Sequence, residues 1–427
     1  VNLLVLGAAV SGRAAAALGR RLGHAVTVYD RDPEAVAALD GGVPTRFGPW
    51  DPALLGGVDL VVTSPGIPEH APPIRDVAQA GIPLWSEMEF AARQLQAPYA
   101  AVTGTNGKTT VIAATAAMLE AEGLRVVAAG NIGRALSDVV EDRWDVVVIE
   151  ASSFQLRFTE RFHPRAAAIL NVAPDHLDWH GSLAAYSEAK QRIYANQTPD
   201  DLLVYDADDP GAIVAVAAAI AHRVPVSGSR VPLHGNGPDG DTLRFGTMTL
   251  PRPDLDPAFT LDLVAAGTLA AALGAGRGAI EVVVKGFVPG AHRRTVVGVW
   301  DGVPWVDDSK ATNPHSAAAA AAAYPSVVLI AGGRNKDLDL SPLATVASVR
   351  HVIGIGEAAA ELAAAVPPDR YTPAADLEEA VAVADTIAAP GDTVLLAPGC
   401  ASFDMFESYA HRGEEFARIV RARKGAG

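Results

Sequence analysis

A chain of 427 residues has room for two or three domains, and a composition 49% hydrophobic and 19% charged is that of a globular protein, which excludes disorder. A formal net charge of -15 excludes broad binding to nucleic acid or to an anionic membrane, so an anionic substrate has to be met by locally placed Lys and Arg. The single Cys400 excludes an intrachain disulfide framework, fits a reducing compartment and reads as a small buried residue. No uncharged run reaches membrane-spanning length without Pro, Asn or His interrupting it, and no signal peptide is read ahead of the first strand; a cytoplasmic location is expected.

Residues 3–6 predict a buried strand. The turn Gly7-Ala8-Ala9-Val10-Ser11-Gly12 follows, then an Ala-rich helix to about Leu22 and a second strand over 26–29 that ends at Asp30. This is the order of a dinucleotide-type βαβ unit. Ala9 holds the second glycine position of Gly-x-Gly-x-x-Gly, which counts against NAD and leaves the loop to one phosphate or to nothing. Asp30 either holds a ribose or base edge or is a plain surface carboxylate. A strand over 60–63 runs into Ser64-Pro65-Gly66-Ile67, a fixed turn at the edge where open α/β sheets bind ligands. A helix is predicted around 86–93 and a linker over 95–98.

The run Tyr99-Ala100-Ala101-Val102-Thr103-Gly104-Thr105-Asn106-Gly107-Lys108-Thr109-Thr110 reads as strand, glycine-bracketed turn and helix start. Glycines bring several backbone N–H groups to one point, the helix N-terminus adds its donors, Lys108 adds a full charge, and the Thr109 hydroxyl suits Mg²⁺. Val102 stands where a standard Walker A loop has its first glycine, so the loop is a shortened variant. After residues 126–129 and Gly130-Asn131-Ile132-Gly133, an apolar strand over 145–150 delivers Glu150 beside this loop, the usual way to hold nucleotide-bound Mg²⁺. A strand over 166–170 ends in Asn171, Asp175, His176, Asp178 and His180, a set with metal-ligand chemistry. The next helix, 182–196 with Ser182 as N-cap, places Leu183, Tyr186, Ile193 and Tyr194 on one face together with Lys190. A Lys on an apolar stripe either snorkels to water or is desolvated and held near neutral, able to form a carbamate that ligates metal.

Residues 206–210 form a polar turn, 224–250 suggest antiparallel strands, and a helix is predicted over about 257–273. Residues 287–294 mark a boundary. Strands over 295–300 and 303–306 flank Asp301-Gly302, a hairpin signal. Asp308-Ser309-Lys310-Ala311-Thr312-Asn313 opens an Ala-rich helix, and strands over 326–330, 351–355 and 393–396 alternate with helices, which implies a parallel sheet. Lys310, Lys336 and Ser402 each follow a strand, where ligand groups gather; each reads equally well as a solvated loop residue.

The phosphate-loop run Gly104 to Thr110, Glu150-Ala151-Ser152-Ser153-Phe154-Gln155-Leu156, Asn171 with Asp175-His176-Leu177-Asp178, Ala189-Lys190, His292-Arg293, the Asp308 to Asn313 run and Cys400-Ala401-Ser402-Phe403-Asp404 occur in one order along the whole chain. In this set the sequence resembles the Mur ligases of peptidoglycan synthesis, and its first segment and last two runs resemble the D-glutamate-adding branch rather than the L-alanine-adding one. The resemblance implies an α/β protein of three domains: a Rossmann-like domain over 1–94 for the UDP-sugar, a P-loop-type ATPase domain over 95–290, and a Rossmann-like domain over 291–427 that binds D-glutamate and contributes to the ATP site. It implies ATP-driven amide formation between D-glutamate and UDP-N-acetylmuramoyl-L-alanine through an acyl phosphate, by a monomer that binds neither nucleic acid nor membrane.

The same resemblance implies residue roles. Gly104, Thr105, Asn106, Gly107, Lys108, Thr109 and Thr110 would hold ATP, with Arg293 and Asp308 reaching it from the last domain. Two Mg²⁺ ions are implied, on Thr109, Glu150, His176 and a carbamylated Lys190. Lys108 and Lys310 join Glu150, His176 and Lys190 in catalysis. Ser11, Asp30, Arg31, Ser64, Gly66 and Asn131 would hold the UDP-sugar, and Thr312, Lys336, Ser402 and Tyr409 would hold D-glutamate. One departure is visible: family members often carry His-Asn-x-x-Asn for adenine, where this chain has Leu261-Asp262-Leu263-Val264-Ala265. A sibling ligase and a nucleotide-gated binding protein are the competing readings. Asp308, Lys310, Lys336 and Ser402 in a further domain argue against the second.

Overall fold

The computed structural model describes residues 1–39 and 42–425. It contains two compact units, Val1–Val172 with Trp179–Phe287, and Ala173–Asp178 with Val288–Gly427. Within them the chain builds four sheets, three of them wholly or mostly parallel and one small and antiparallel, in the α/β class that the sequence predicts.

The first unit begins with β1 (Asn2–Leu6), β2 (Ala25–Asp30), β3 (Thr45–Phe47), β4 (Leu60–Thr63) and β5 (Leu84–Ser86), parallel strands in the order β3-β2-β1-β4-β5. β1 lies centrally because its apolar run has no polar side to show to water: Leu3, Leu4, Val5 and Leu6 are all buried. The helix Val10–Arg21 closes tightly on the sheet through glycines. A Cβ on Gly12 would stand 1.8 Å from the Gly7 carbonyl oxygen, and one on Gly19 2.6 Å from Leu3 Cδ2.

The second sheet takes β6 (Tyr99–Thr103), β7 (Val126–Gly130), β8 (Val146–Glu150), β9 (Ala166–Ile169), β10 (Leu202–Asp206) and β11 (His222–Val226) in the order β11-β10-β9-β6-β8-β7. β6 and β8 are buried at nearly every position, and Val111, Ile112, Leu263 and Leu269 from the helices Lys108–Ala121 and Pro257–Ala272 cover one face. β11 pairs parallel with β10, where an antiparallel strand is expected from the sequence. The helix Pro210–Ala215 crosses between them, so this stretch is one more βαβ unit. The antiparallel pattern is confined to β12 (Gly237–Asp239), β13 (Thr242–Phe245) and β14 (Met248–Pro251). The two parallel sheets of this unit are linked by the buried Glu87, whose Oε1 accepts from Ser137 N at 2.6 Å.

The second unit forms one sheet from β15 (Thr295–Trp300), β16 (Val303–Asp307), β17 (Val327–Gly332), β18 (Val349–Ile355), β19 (Tyr371–Pro373) and β20 (Thr393–Leu396), ordered β15-β16-β20-β17-β18-β19. β15 and β16 are the expected hairpin. Asp301 (φ 53°) and Gly302 (φ 75°) both take the left-handed conformation that a two-residue turn requires. All other pairs in this sheet are parallel, and its faces bury Val306, Leu329 and Leu395 on one side and Trp305, Ile330 and Phe416 on the other.

Candidate active site

The phosphate-loop run occupies the C-terminal end of β6 as predicted. Gly104 (φ 158°) and Gly107 (φ 84°) bracket the turn, and the helix starts at Lys108. At Gly107 a side chain is excluded twice over. The conformation is left-handed, and a Cβ would stand 2.7 Å from Asp262 Oδ1 and 3.0 Å from Leu170 Cδ1. Lys108 Nζ donates to the carbonyls of Gly104 at 2.8 Å and Thr105 at 3.0 Å, so its charge lies over the loop. Asn171 fastens the loop to the end of β9. Its Oδ1 accepts from Asn106 N at 2.7 Å, its Nδ2 donates to Asn106 O, and its carbonyl accepts from Thr105 N at 3.0 Å. The arrangement suits a polyphosphate: glycine backbone, a helix N-terminus and one Lys converge.

Glu150, 2% exposed, ends β8 beside this loop. Oε2 accepts from Thr109 Oγ1 at 3.0 Å and Oε1 from Asn131 Nδ2 at 3.0 Å. The carboxylate thus spans the phosphate loop and the Gly130-Asn131-Ile132-Gly133 loop. A hydroxyl and a carboxylate within hydrogen-bond reach form a hard-oxygen donor set, which fits Mg²⁺.

Ser182 caps the next helix by accepting from Ala185 N. The α-helix spans Leu183–Gln191 and continues as a 3₁₀ turn over Arg192–Tyr194. Of the expected stripe, Tyr186 and Ile193 are buried, Tyr194 is half-buried and Leu183 is 41% exposed. Lys190 is 1% exposed, which removes the snorkelling alternative. Its Nζ lies 4.3 Å from the centre of the Tyr186 ring, and the Tyr186 hydroxyl is 3.2 Å from Thr105 Oγ1 in the phosphate loop.

The polar groups of 171–180 do not gather into one metal set. Among the described residues no group of three or more His, Cys, Asp and Glu side chains is assembled for a metal. Asn171 holds the phosphate loop. His180 stacks on Phe154 and pairs through Nε2 with Ser153 Oγ at 2.9 Å. Asp175 and His176 belong to the second unit, whereas Glu150 and Lys190 belong to the first.

In the first sheet, the ends of β1, β2 and β4 bring Ser11, Asp30 and Ser64 to one edge. Asp30 is more than a surface carboxylate: Oδ2 accepts from Ala8 N at 2.7 Å and Oδ1 from Asp32 N at 3.0 Å, shaping the turn after β1. Ser64 Oγ is buried against that turn, 2.6 Å from where a Cβ on Gly7 would stand, and has no hydrogen-bond partner among the described residues. Arg31 and Gly66 are exposed nearby in sequence.

In the second unit, Asp308 directly follows β16 and is 8% exposed. Burial pushes its carboxyl up to about 6, against the pull of Arg294 and Arg293 and the Arg294 N–H at 3.2 Å. Lys310 Nζ lies 5.3 Å from the centre of the Tyr409 ring. Lys336 Nζ donates to Asp175 Oδ1 at 2.8 Å, and Asn313 Nδ2 to Asp175 Oδ2 at 3.3 Å. Burial alone would raise the Asp175 carboxyl; Lys336 and His176 outweigh it and hold the group below its usual range. Ser402 is buried, and Thr312 and Tyr409 are half-buried. Arg412, 1% exposed, fixes two of these loops at once. It donates to Ser309 Oγ and O and to the carbonyls of Cys400 and Ala401.

Three family models match the chain in succession: the Mur ligase MurD-like N-terminal domain over residues 1–86, the Mur ligase middle domain over 102–229, and the Mur ligase glutamate ligase domain over 292–400. A UDP-N-acetylmuramoylalanine–D-glutamate ligase of Frankia casuarinae is 45% identical over 456 aligned residues, covering 99% of this chain and 94% of the relative. The chain belongs to the Mur ligase family. A Mur ligase of the same description from Anaeromyxobacter dehalogenans is 40% identical across 98% of this chain and 97% of its own. The crystal structure of the UDP-N-acetylmuramate–alanine ligase of Thermotoga maritima shares the fold, with a TM-score of 0.58 at 18% identity over 99% of this chain and 100% of that one. Against the Mur ligase pattern, the departure at 261–265 acquires a place: Asp262 packs beside Gly107 at the start of the phosphate-loop helix. Sequence pattern assigns no role to Asp262 or Arg412, and it casts Asn171 and Asp175 as metal-type residues. Each acts through a partner far away in the chain, which no local spacing reveals.

Proposed function

We propose that this Mur ligase joins D-glutamate to UDP-N-acetylmuramoyl-L-alanine in peptidoglycan precursor synthesis, acting as a cytoplasmic monomer. The observation that carries the reading is the end-to-end similarity to ligases of that description, with the glutamate ligase domain matched over 292–400. Among the described residues no helix is long and apolar enough to cross a membrane.

The γ-phosphate of ATP passes to the substrate carboxylate and ADP leaves. The D-glutamate amine then attacks the acyl carbon, the C–N bond forms, the phosphate departs and the amine loses a proton. Gly104 to Thr110 cradle the phosphates, with Lys108 turning from the loop carbonyls to the β- and γ-phosphates. Arg293 and Asp308 serve the nucleotide, and Lys310 meets charge on the transferring group. Thr109 and Glu150 would supply oxygen ligands for one Mg²⁺; Glu150, a carbamylated Lys190 and the His176 imidazole nitrogen would be the ligands of a second. When bound, these ions offset the negative charge on the phosphoryl group. Ser11, Asp30, Arg31, Ser64, Gly66 and Asn131 hold the UDP-sugar, and Thr312, Lys336, Ser402 and Tyr409 hold D-glutamate, with Lys336 facing a carboxylate.

The test is phosphate release from ATP in the presence of UDP-N-acetylmuramoyl-L-alanine, with and without D-glutamate. Release that depends on D-glutamate is expected. Release that is absent, or that L-alanine supports equally with UDP-N-acetylmuramate, refutes the assignment.

A further inference from the structure

In the second unit Lys336 stands on the loop that follows β17 and Ser402 on the loop that follows β20. One antiparallel bridge joins the two loops directly. Arg334 N donates to Ala401 O at 2.9 Å, and Ala401 N donates to Arg334 O at 3.0 Å. A third loop, which follows β18, closes the group. Gly333 N donates to Ile355 O at 3.1 Å and Ala358 N to Gly333 O at 2.9 Å, so this loop is tied to the one that carries Lys336. Those bonds all run between backbone atoms. The tie from the third loop to the Ser402 loop is made by a side chain: Asp404 Oδ2 accepts from Glu357 N at 3.0 Å.

Several details give this one contact its leverage. The Ser402 carbonyl accepts from Met405 N at 3.2 Å and from Phe406 N at 2.8 Å, so Asp404 stands in a tight turn built on Ser402 itself. Gly356 is left-handed, with φ 68°, and a Cβ there would run into Asp404 Oδ2. A glycine is therefore what lets the carboxylate reach the Glu357 amide. The other oxygen, Oδ1, is buried with no hydrogen-bond partner among the described residues. The charge of the group is met at longer range by Arg412 and Arg334. Arg334 also pairs with the Glu357 side chain at 3.1 Å, but both are more than half exposed. An exposed ion pair contributes little, whereas a carboxylate accepting from a backbone N–H is among the stronger hydrogen bonds.

We propose that Asp404 is a positioning residue for the amino-acid substrate, which fixes the Ser402 turn against the two neighbouring loops; this rests on the reading that Ser402 and Lys336 hold D-glutamate. Asp404 acts through Ser402 and touches no substrate. A substrate with two carboxylates gripped from two loops is sensitive to the spacing of those loops, because a displacement of about 1 Å is enough to cost affinity and rate.

Steady-state kinetics of the full chain, with each of the three substrates varied in turn, and hydrogen exchange at the Glu357 amide test this together. Asp404→Ala should raise the KM for D-glutamate about tenfold while those for ATP and UDP-N-acetylmuramoyl-L-alanine stay within about twofold. Exchange at Glu357 should accelerate in the same variant. Asp404→Asn keeps an oxygen that can accept from Glu357 N, and should restore both the slow exchange and most of the affinity. Gly356→Ala attacks the contact from the other loop and should reproduce the Asp404→Ala kinetics; it decides the matter if Asp404→Ala does not fold. The parent protein separates this from the functional reading. If it uses another amino acid in place of D-glutamate, that reading fails, and the KM comparison is made with the amino acid it does use. An amino-acid KM left unchanged by the variants, an equal rise in all three KM values, or an Asp404→Asn protein no better than Asp404→Ala overturns the proposal.

Discussion

Replacing Asp308 by Asn is expected to stabilise the second unit, most of all at neutral and alkaline pH. Burial pushes this carboxyl from 3.8 to about 6, so the folded chain holds the proton more tightly than the unfolded one. Folding therefore carries no penalty for the group below pH 3.8; the penalty grows as pH rises and is complete above about 6. A shift of that size corresponds to about 3 kcal/mol at full ionisation, roughly half of which develops between pH 5 and pH 8. The amide of the Asp308→Asn variant would carry none of it, while its oxygen can still accept from Arg294 N. Hydrogen exchange of the β16 amides, corrected for intrinsic rates at each pH, reads the opening free energy of this strand in both proteins. The stability difference between variant and parent should widen by on the order of 1 kcal/mol from pH 5 to pH 8. A constant difference across that range would refute the claim that a raised carboxyl pKa is stored here. Ligase activity should move the other way, falling at least about tenfold if this carboxylate serves the nucleotide.

Gly107→Ala forces a left-handed conformation on a residue whose Cβ meets Asp262 and Leu170; ATP affinity should weaken by at least about tenfold by equilibrium dialysis, at a stability cost of about 1–2 kcal/mol by denaturant titration. Asp175→Ala strands a Lys336 ammonium that is only 20% exposed. The second unit should lose about 2 kcal/mol in urea denaturation, and the KM for D-glutamate should rise while that for ATP holds. Lys190→Ala should lower kcat by about two to three orders of magnitude, and short carboxylates such as formate should restore part of it; an unchanged kcat would reject the carbamate role.

Much of the first and central domains could be read directly because their chemistry sits at strand ends. The runs before Gly7, Gly104 and Glu150 are continuous apolar stretches, and strands of that kind end where a parallel sheet leaves its loops. Local chemistry was equally legible: Ser182 caps its helix and Asp301-Gly302 makes its turn. Pairing was less so. β11 contains Pro225 and short apolar runs follow it, so nothing in the strand itself says that it joins a parallel sheet. The site residues that escaped are those whose partner lies far along the chain. Asp175 meets Lys336 161 residues later, and Arg412 reaches Ser309 103 residues earlier. Glu89 sits in an ordinary helix start, where an acidic residue is expected at the surface, yet it is wholly enclosed.

Glu150 divides its two oxygens between Thr109 and Asn131, and so between two loops that leave different strands. No helix has to move for one loop to sense the other, since a single side chain is their common ground. A ligand that draws the Asn131 amide away changes the hydrogen bonding available to Thr109, and the reverse holds as well. Linkage then requires symmetry: whatever factor the occupant of one loop imposes on affinity at the other is returned in equal measure.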